Sequence, residues 1–190
     1  MTRAERMNDS QETPVRFTAE EFMELAQYPP ISDWIGKVEL VDGEIVRMSP
    51  AHMPHWNVQR LTTMYLQAAF VPLGPDWVVG AEAAVKLGKL TVRVPDVAVL
   101  RSPDLTASAA AGSTLFMAVE IADTSLRNDL GRKLRAYASA GVPYYWVVDV
   151  NGREVHVMAD PHEGDYRAKR LIPFGKPIDV PGADATITIG

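Results

Sequence analysis

Cysteine is absent from the 190 residues of this chain. Disulfides, thiolate metal sites and cysteine nucleophiles are therefore excluded. Long apolar runs are missing too; none approaches the roughly 18 residues needed to cross a bilayer, so no membrane partner is expected. The opening segment MTRAERMNDSQETP has no apolar core of a secretory signal, and the expected location is cytoplasmic. A basic excess is also lacking: 24 acidic residues outnumber 19 basic ones, for a formal charge of −5. A protein that coats a duplex ordinarily carries the opposite balance. Contact with phosphate must then come from a local patch or from a bound cation.

What is present suits a globular domain, with 47% hydrophobic and 23% charged residues. Residues 1–15 are polar and aperiodic and read as a flexible tail. Residues 16–190 read as one domain. Thr18 and Glu21 have the spacing of a capping box ahead of a helix that prolines 29 and 30 stop. VELVDGEIVRM reads as a hairpin turning at Asp42-Gly43, with Glu39 out of phase with Val38 and Leu40. A helix starting near Pro54 carries an apolar stripe of Val58, Leu61, Tyr65, Leu66 and Ala69. DWVVGAEAAVKL and LTVRVPDVAVL read as two successive strands, and DLTASAAAGS as an exposed loop or weak helix. TLFMAVEIA suits a strand covered on both faces. SLRNDLGRKLRAYASAG is a helix closed by Gly141, and PYYWVVDV pairs with REVHVMA across a turn at Asn151-Gly152. Two short strands follow. The order predicts an α/β domain with a central mixed sheet flanked by helices.

Two acids stand inside apolar strands: Asp96 in VPDVAVL and Glu120 in FMAVEIA. Isolated carboxylates avoid burial unless they are paired or bound to a cation. Two readings stand on the residues alone. Neighbouring strands bring the acids together around a hard divalent cation, or Asp96 caps backbone amides while Glu120 pairs with Arg93 or Lys133. Asp129, Lys133 and Tyr137, spaced four apart, line one helical stripe. Taken by spacing, that is a solvated ion pair worth roughly 0.3–0.5 kcal/mol. His52 and His55 resemble half a metal site without an acidic third ligand, and His156 and His162 read as surface residues. Trp34, Trp56, Trp77 and Trp146 read as packing residues, and RAKR at 167–170 as a solvated basic cluster that is also the foremost backbone-contact patch near the C-terminus.

The segments VELVDGEIVRMSP, His55, VPDVAVL, VEIADTSLRNDLGRKLRAYASAGVPYYWVVD and REVHV resemble the Uma-two family of the PD-(D/E)XK nuclease superfamily, from about residue 17 to 170. The resemblance implies a restriction-endonuclease-like core and hydrolysis of nucleic-acid phosphodiesters with Mg²⁺ or Mn²⁺. It makes Asp96 and Glu120 the metal-binding acids, with the Ile121 main-chain carbonyl as third ligand. Lys133 becomes the amine that orients water, and Glu39 holds a second metal or a metal-bound water. Tyr137 and Arg132 meet flanking phosphates, and His55 faces the substrate. The implied partner is nucleic acid, with DNA foremost, and a homodimer is compatible. Two departures mark this chain: Ala122 stands where the textual motif has lysine, and Asp123 where relatives more often have serine. They keep a second function open, a catalytically weak or inactive nuclease-fold protein acting as a binding or regulatory module. An enzyme acting on a small phosphorylated substrate is the third.

Overall fold

The computed structural model describes residues 14–28, 38–48 and 50–190. Most of the expected tail, prolines 29 and 30, and Trp34 lie outside the described residues.

Helix α1 (Ala19–Leu25) starts at a complete capping box. The Glu21 N–H donates to the Thr18 hydroxyl at 3.2 Å, and the Thr18 N–H donates to the Glu21 carboxylate at 2.8 Å. Strands β1 (Val38–Val41) and β2 (Glu44–Arg47) form the expected hairpin. Asp42 and Gly43 both take positive φ, 53° and 85°, as a tight turn between twisted strands requires. Both faces of β1 are covered: Leu40 packs with Phe22 and Val92, and Glu39 is buried on the opposite side.

The two long strands expected over residues 76–100 are four. β3 (Trp77–Ala81) ends before Glu82, which has φ 58°, and β4 (Val85–Gly88) follows in a different sheet. Likewise β5 (Thr91–Arg93) and β6 (Val97–Arg101) belong to different sheets, split at Val94-Pro95-Asp96. Pro95 has no N–H to give a ladder, so a strand breaks there. The crossing from sheet to sheet leaves Asp96 at the junction.

One sheet has five strands in the order β2-β1-β5-β4-β7, with β7 a short bridge at Ala110–Ala111. No helix forms over 104–109; Asp104 instead accepts from the N–H and hydroxyl of Thr106. The larger sheet has six strands, β11-β10-β9-β8-β6-β3. Here β8 is Leu115–Ala122, β9 Tyr144–Asp149, β10 Glu154–His162 and β11 Asp165–Pro173. β8 and β9 run parallel, and the other pairs in this sheet are antiparallel. The turn from β9 to β10 is longer than two residues. Asp149 accepts from the N–H groups of Asn151 and Gly152, and Arg153 supplies the positive φ. β12 (Pro177–Asp179) and β13 (Thr186–Thr188) form a separate ribbon.

Helix α2 (Met53–Phe70) covers one face of the six-stranded sheet, against Val97, Val99, Met117, Val119, Ile121, Trp146 and Val148. Its buried stripe is Gln59, Thr62, Leu66, Ala69 and Phe70, rotated from the expected one, and Tyr65 is exposed. The rotation has a polar cause: the Gln59 side chain donates to the Asp96 carbonyl at 3.0 Å and to Glu82 at 3.2 Å. Helix α3 covers the other face. It runs as Leu126–Asn128, a π-helical stretch Asp129–Lys133, and Leu134–Ser139, and Gly141 closes it with φ 73°. Leu134, Tyr137 and Ala138 pack on Ala118, Tyr145 and Val147.

Candidate active site

Most of the acids and bases singled out in the sequence meet where the two sheets and α3 come together. Beyond the last β6–β8 pair, Val97 opposite Val119, the Ile121 N–H donates to Asp96 Oδ2 at 2.7 Å. The other oxygen, Oδ1, lies 3.1 Å from His55 Nε2. A carboxylate only accepts, so His55 donates. Burial pushes the Asp96 carboxyl up, but His55, the Ile121 amide and nearby Lys133 outweigh it and hold the group below its usual range.

Glu120 is one of the most deeply buried polar groups, 1% exposed. Its Oε2 accepts from Lys133 Nζ at 2.7 Å and its Oε1 from the Tyr137 hydroxyl at 2.8 Å. Burial nevertheless pushes its carboxyl up to about 8; Lys133 opposes this, and the charges of Asp96, Asp129 and Glu39 add to it. Burial also tends to discharge Lys133, but Glu120, Glu39 and Asp129 more than offset this and keep the ammonium charged. Burial, reinforced by Glu120, holds the Tyr137 hydroxyl well above its ordinary range, so it stays a donor.

Asp129 and Lys133, four apart, share one face of α3 and both turn inward, in a π-helical stretch of a kind frequent at functional sites. Asp129 Oδ1 lies 3.5 Å from Lys133 Nζ and has no hydrogen bond, while Oδ2 accepts from the Ser125 hydroxyl at 2.5 Å. The solvated surface pair suggested by the spacing is thus a buried one. Burial raises the Asp129 carboxyl, against Lys133 and Ser125.

Glu39 is held by Arg93 Nη1 at 2.8 Å and by the Val94 N–H at 3.0 Å. An open cleft of about 440 Å³ is lined by Glu39, Arg93, Asp96, Ile121, Lys133 and His55, with Arg132, Asp123 and His52 also in its wall. Glu120 and Tyr137 are not in that wall. Tyr137, expected beside a flanking phosphate, is fully buried and spends its hydroxyl on Glu120. Asp123 lies at the rim, 3.6 Å from His52 and within reach of the Asn151 amide. RAKR lies along β11, on an edge of the larger sheet and outside the cleft wall, with Lys169 paired to Asp165 at 2.6 Å.

Around this cleft four buried carboxylates (Glu39, Asp96, Glu120 and Asp129) face two buried cationic side chains, Arg93 and Lys133. Acid groups therefore outnumber cationic side chains in a poorly solvated place. A divalent oxygen-preferring cation fits that charge and that donor set. The wall offers it Asp96 and Ile121; Glu120 lies behind, on Lys133. Among the described residues, the group of three potential ligands within 4.8 Å of one another lies elsewhere, at Asp149, Glu154 and His156 beside the β9–β10 turn. Gln59, which fixes the Asp96 backbone, left no mark in the sequence, since a glutamine on a helix is ordinarily solvated.

The fold has a counterpart among solved structures. The crystal structure of "a putative nuclease belonging to DUF820" from Anabaena variabilis ATCC 29413 superposes with a TM-score of 0.63 at 17% identity, over 90% of this chain and 94% of that one. At that identity the likeness is one of fold alone. No curated protein matches the chain. A family model, Uma2, described as "Putative restriction endonuclease", matches residues 19–189. That span runs from the first helix through the last strand and takes in every residue of the cleft wall, and the chain belongs to the Uma2 family.

Proposed function

We propose that the protein is a metal-dependent endonuclease that hydrolyses nucleic-acid phosphodiesters, DNA first among them. The observation that carries the proposal is the excess of buried carboxyl groups over buried cationic side chains, four against two, around an open cleft. Asp96 and the Ile121 carbonyl would hold the cation from the wall, with Glu120 behind them. When bound, Mg²⁺ or Mn²⁺ supplies Lewis-acid activation of water and of the phosphoryl oxygen. Lys133 stays charged in the cleft wall and stabilises the negative charge that grows on the phosphoryl oxygens. His55 and the Ile121 amide fix the orientation of Asp96, and Tyr137 fixes that of Glu120. Glu39, neutralised by Arg93, shapes the wall rather than holding a second ion. Water adds to phosphorus, a P–O ester bond breaks, and the leaving oxygen takes up a proton.

One observation favours a second reading, a nuclease-fold binding module without turnover. Both oxygens of Glu120 already have partners within the protein, and Glu120 does not reach the cleft wall.

The test is cleavage of plasmid and single-stranded substrates in Mg²⁺, Mn²⁺ or chelator. Wild type, Asp96→Asn and Lys133→Ala are compared. The nuclease reading expects cation-dependent cleavage that each substitution lowers by at least about 100-fold. Cleavage that persists in both variants removes this site from the reaction. Absence of cleavage in the folded wild type under all conditions favours the binding module.

A further inference from the structure

Beside the cleft lies a second cavity of about 330 Å³, between α3 and the β4–β5 hairpin. Arg93, Arg132 and Arg135 line it, with Asp42 as the one acid in its wall. Arg93 and Arg132 also line the cleft, so the two hollows share a wall.

We propose that Arg93, Arg132 and Arg135 form a phosphate-binding subsite for the nucleic-acid strand where it leaves the cleft. This rests on the nucleic-acid reading above and adds to it the path of the strand.

Three observations support the subsite. Arg132 and Arg135, three residues apart on α3, are both exposed, and among the described residues neither has an ion-pair partner. Two like charges at that spacing repel and weaken an isolated helix, so their juxtaposition is unexplained by the stability of α3. Arg93 is buried; Glu39 takes its Nη1, while its Nε has no hydrogen-bond acceptor. A buried guanidinium donor without an acceptor is costly. Finally, the chain carries a formal charge of −5. Diffuse attraction cannot hold a polyanion to it, so phosphate contacts must be concentrated in a local cationic patch. Guanidinium forks suit phosphate oxygens better than single ammonium groups do. The RAKR segment is a weaker candidate, because Lys169 is already paired and that strand lies apart from the cleft.

The experiment measures anisotropy of a labelled duplex and of a labelled single strand, in chelator, over a series of salt concentrations. Wild type is compared with Arg135→Ala and with Arg170→Ala on β11. Arg135 is exposed, and its variant is checked for an unchanged melting temperature. The subsite predicts weaker binding by Arg135→Ala for every sequence. It also predicts a salt slope shallower by about 0.9 for duplex or about 0.7 for single strand, the change expected for one lost phosphate contact. Arg170→Ala should match wild type. If wild type binds and Arg135→Ala has the same affinity and slope, the subsite is wrong while the nucleic-acid reading stands. If wild type binds no nucleic acid, but calorimetry finds inorganic phosphate binding that Arg135→Ala abolishes, the cavity takes free phosphate and the strand assignment fails with that reading. Binding of neither ligand overturns both.

Discussion

The two faces of the six-stranded sheet carry very different loads from the same strands. Along β8, Val119 and Ile121 point to the α2 side and join Val97, Met117, Trp146 and Val148 in an apolar layer. Ala118, Glu120 and Ala122 point to the α3 side. There the layer begins apolar, with Tyr145, Val147, Leu134 and Ala138, and ends in the cluster of Glu120, Lys133, Asp129 and Tyr137. Burial is nearly complete on both sides, so exposure does not distinguish them. Chemistry does. The α2 face gains free energy from apolar area removed from water. The α3 face sequesters charges whose mutual attraction offsets little more than their own desolvation. The first face holds the fold; the second is positioned by it.

Four substitutions can break or sharpen this contrast. The largest effect belongs to the cleft. Asp96→Asn should lower cation-dependent cleavage by about 1000-fold, roughly 4 kcal/mol of transition-state stabilisation. Steady-state rates read this effect, and a thermal melt confirms that the variant is folded at the assay temperature. The converse case is Met117→Ala on the α2 face. It should cost about 3 kcal/mol of stability by leaving a cavity, with activity kept in the fraction that remains folded; denaturant unfolding measures it.

Next is pH. The Glu120 carboxyl, raised by burial to about 8, binds its proton more tightly when folded than when unfolded. Its contribution to stability is therefore complete below the unfolded value near 4.5 and is lost as pH rises toward 8. In chelator, wild type should lose stability across that window, while Glu120→Gln should lose clearly less. Parallel curves for the two proteins would mean that Glu120 does not carry the strained charge. The smallest effect is expected at Lys169→Ala on β11. Its exposed pair with Asp165 should contribute less than about 1 kcal/mol, and cleavage should be unchanged; a larger loss of cleavage would bring the far edge of the sheet into the site.

Much of this was legible in the sequence, for physical reasons. Thr18 with Glu21, and Asp42 with Gly43, announced their cap and turn because those geometries demand particular side chains. An acid within FMAVEIA announced something paired, because a lone carboxylate does not survive there. The break at Pro95 was harder to read. The alternation in LTVRVPDVAVL changes phase at Pro95-Asp96, which marks an interruption but does not say that the two halves serve different sheets. The inward turn of Asp129 was hidden for a similar reason. Spacing of four residues describes a surface pair, and what buries it is tertiary: Glu120 on β8 holds Lys133, and the Tyr145 hydroxyl on β9 donates to the Asp129 carbonyl. The rotation of α2 was invisible because Gln59 is held by Glu82 and the Asp96 carbonyl, 23 and 37 residues away in the chain.

The central claim is that the carboxylates around Asp96 and Glu120 carry surplus charge for a divalent cation. Calorimetric titration of the chelator-treated protein with Mn²⁺, repeated in buffers of different ionisation enthalpy, tests it most directly. The account predicts one tight site, lost in Asp96→Asn. Near neutral pH about one proton should leave per ion as Glu120 ionises, and that release should fade as pH passes about 8. A wild-type protein that takes up no ion, or binds it equally well after Asp96→Asn, would contradict the account.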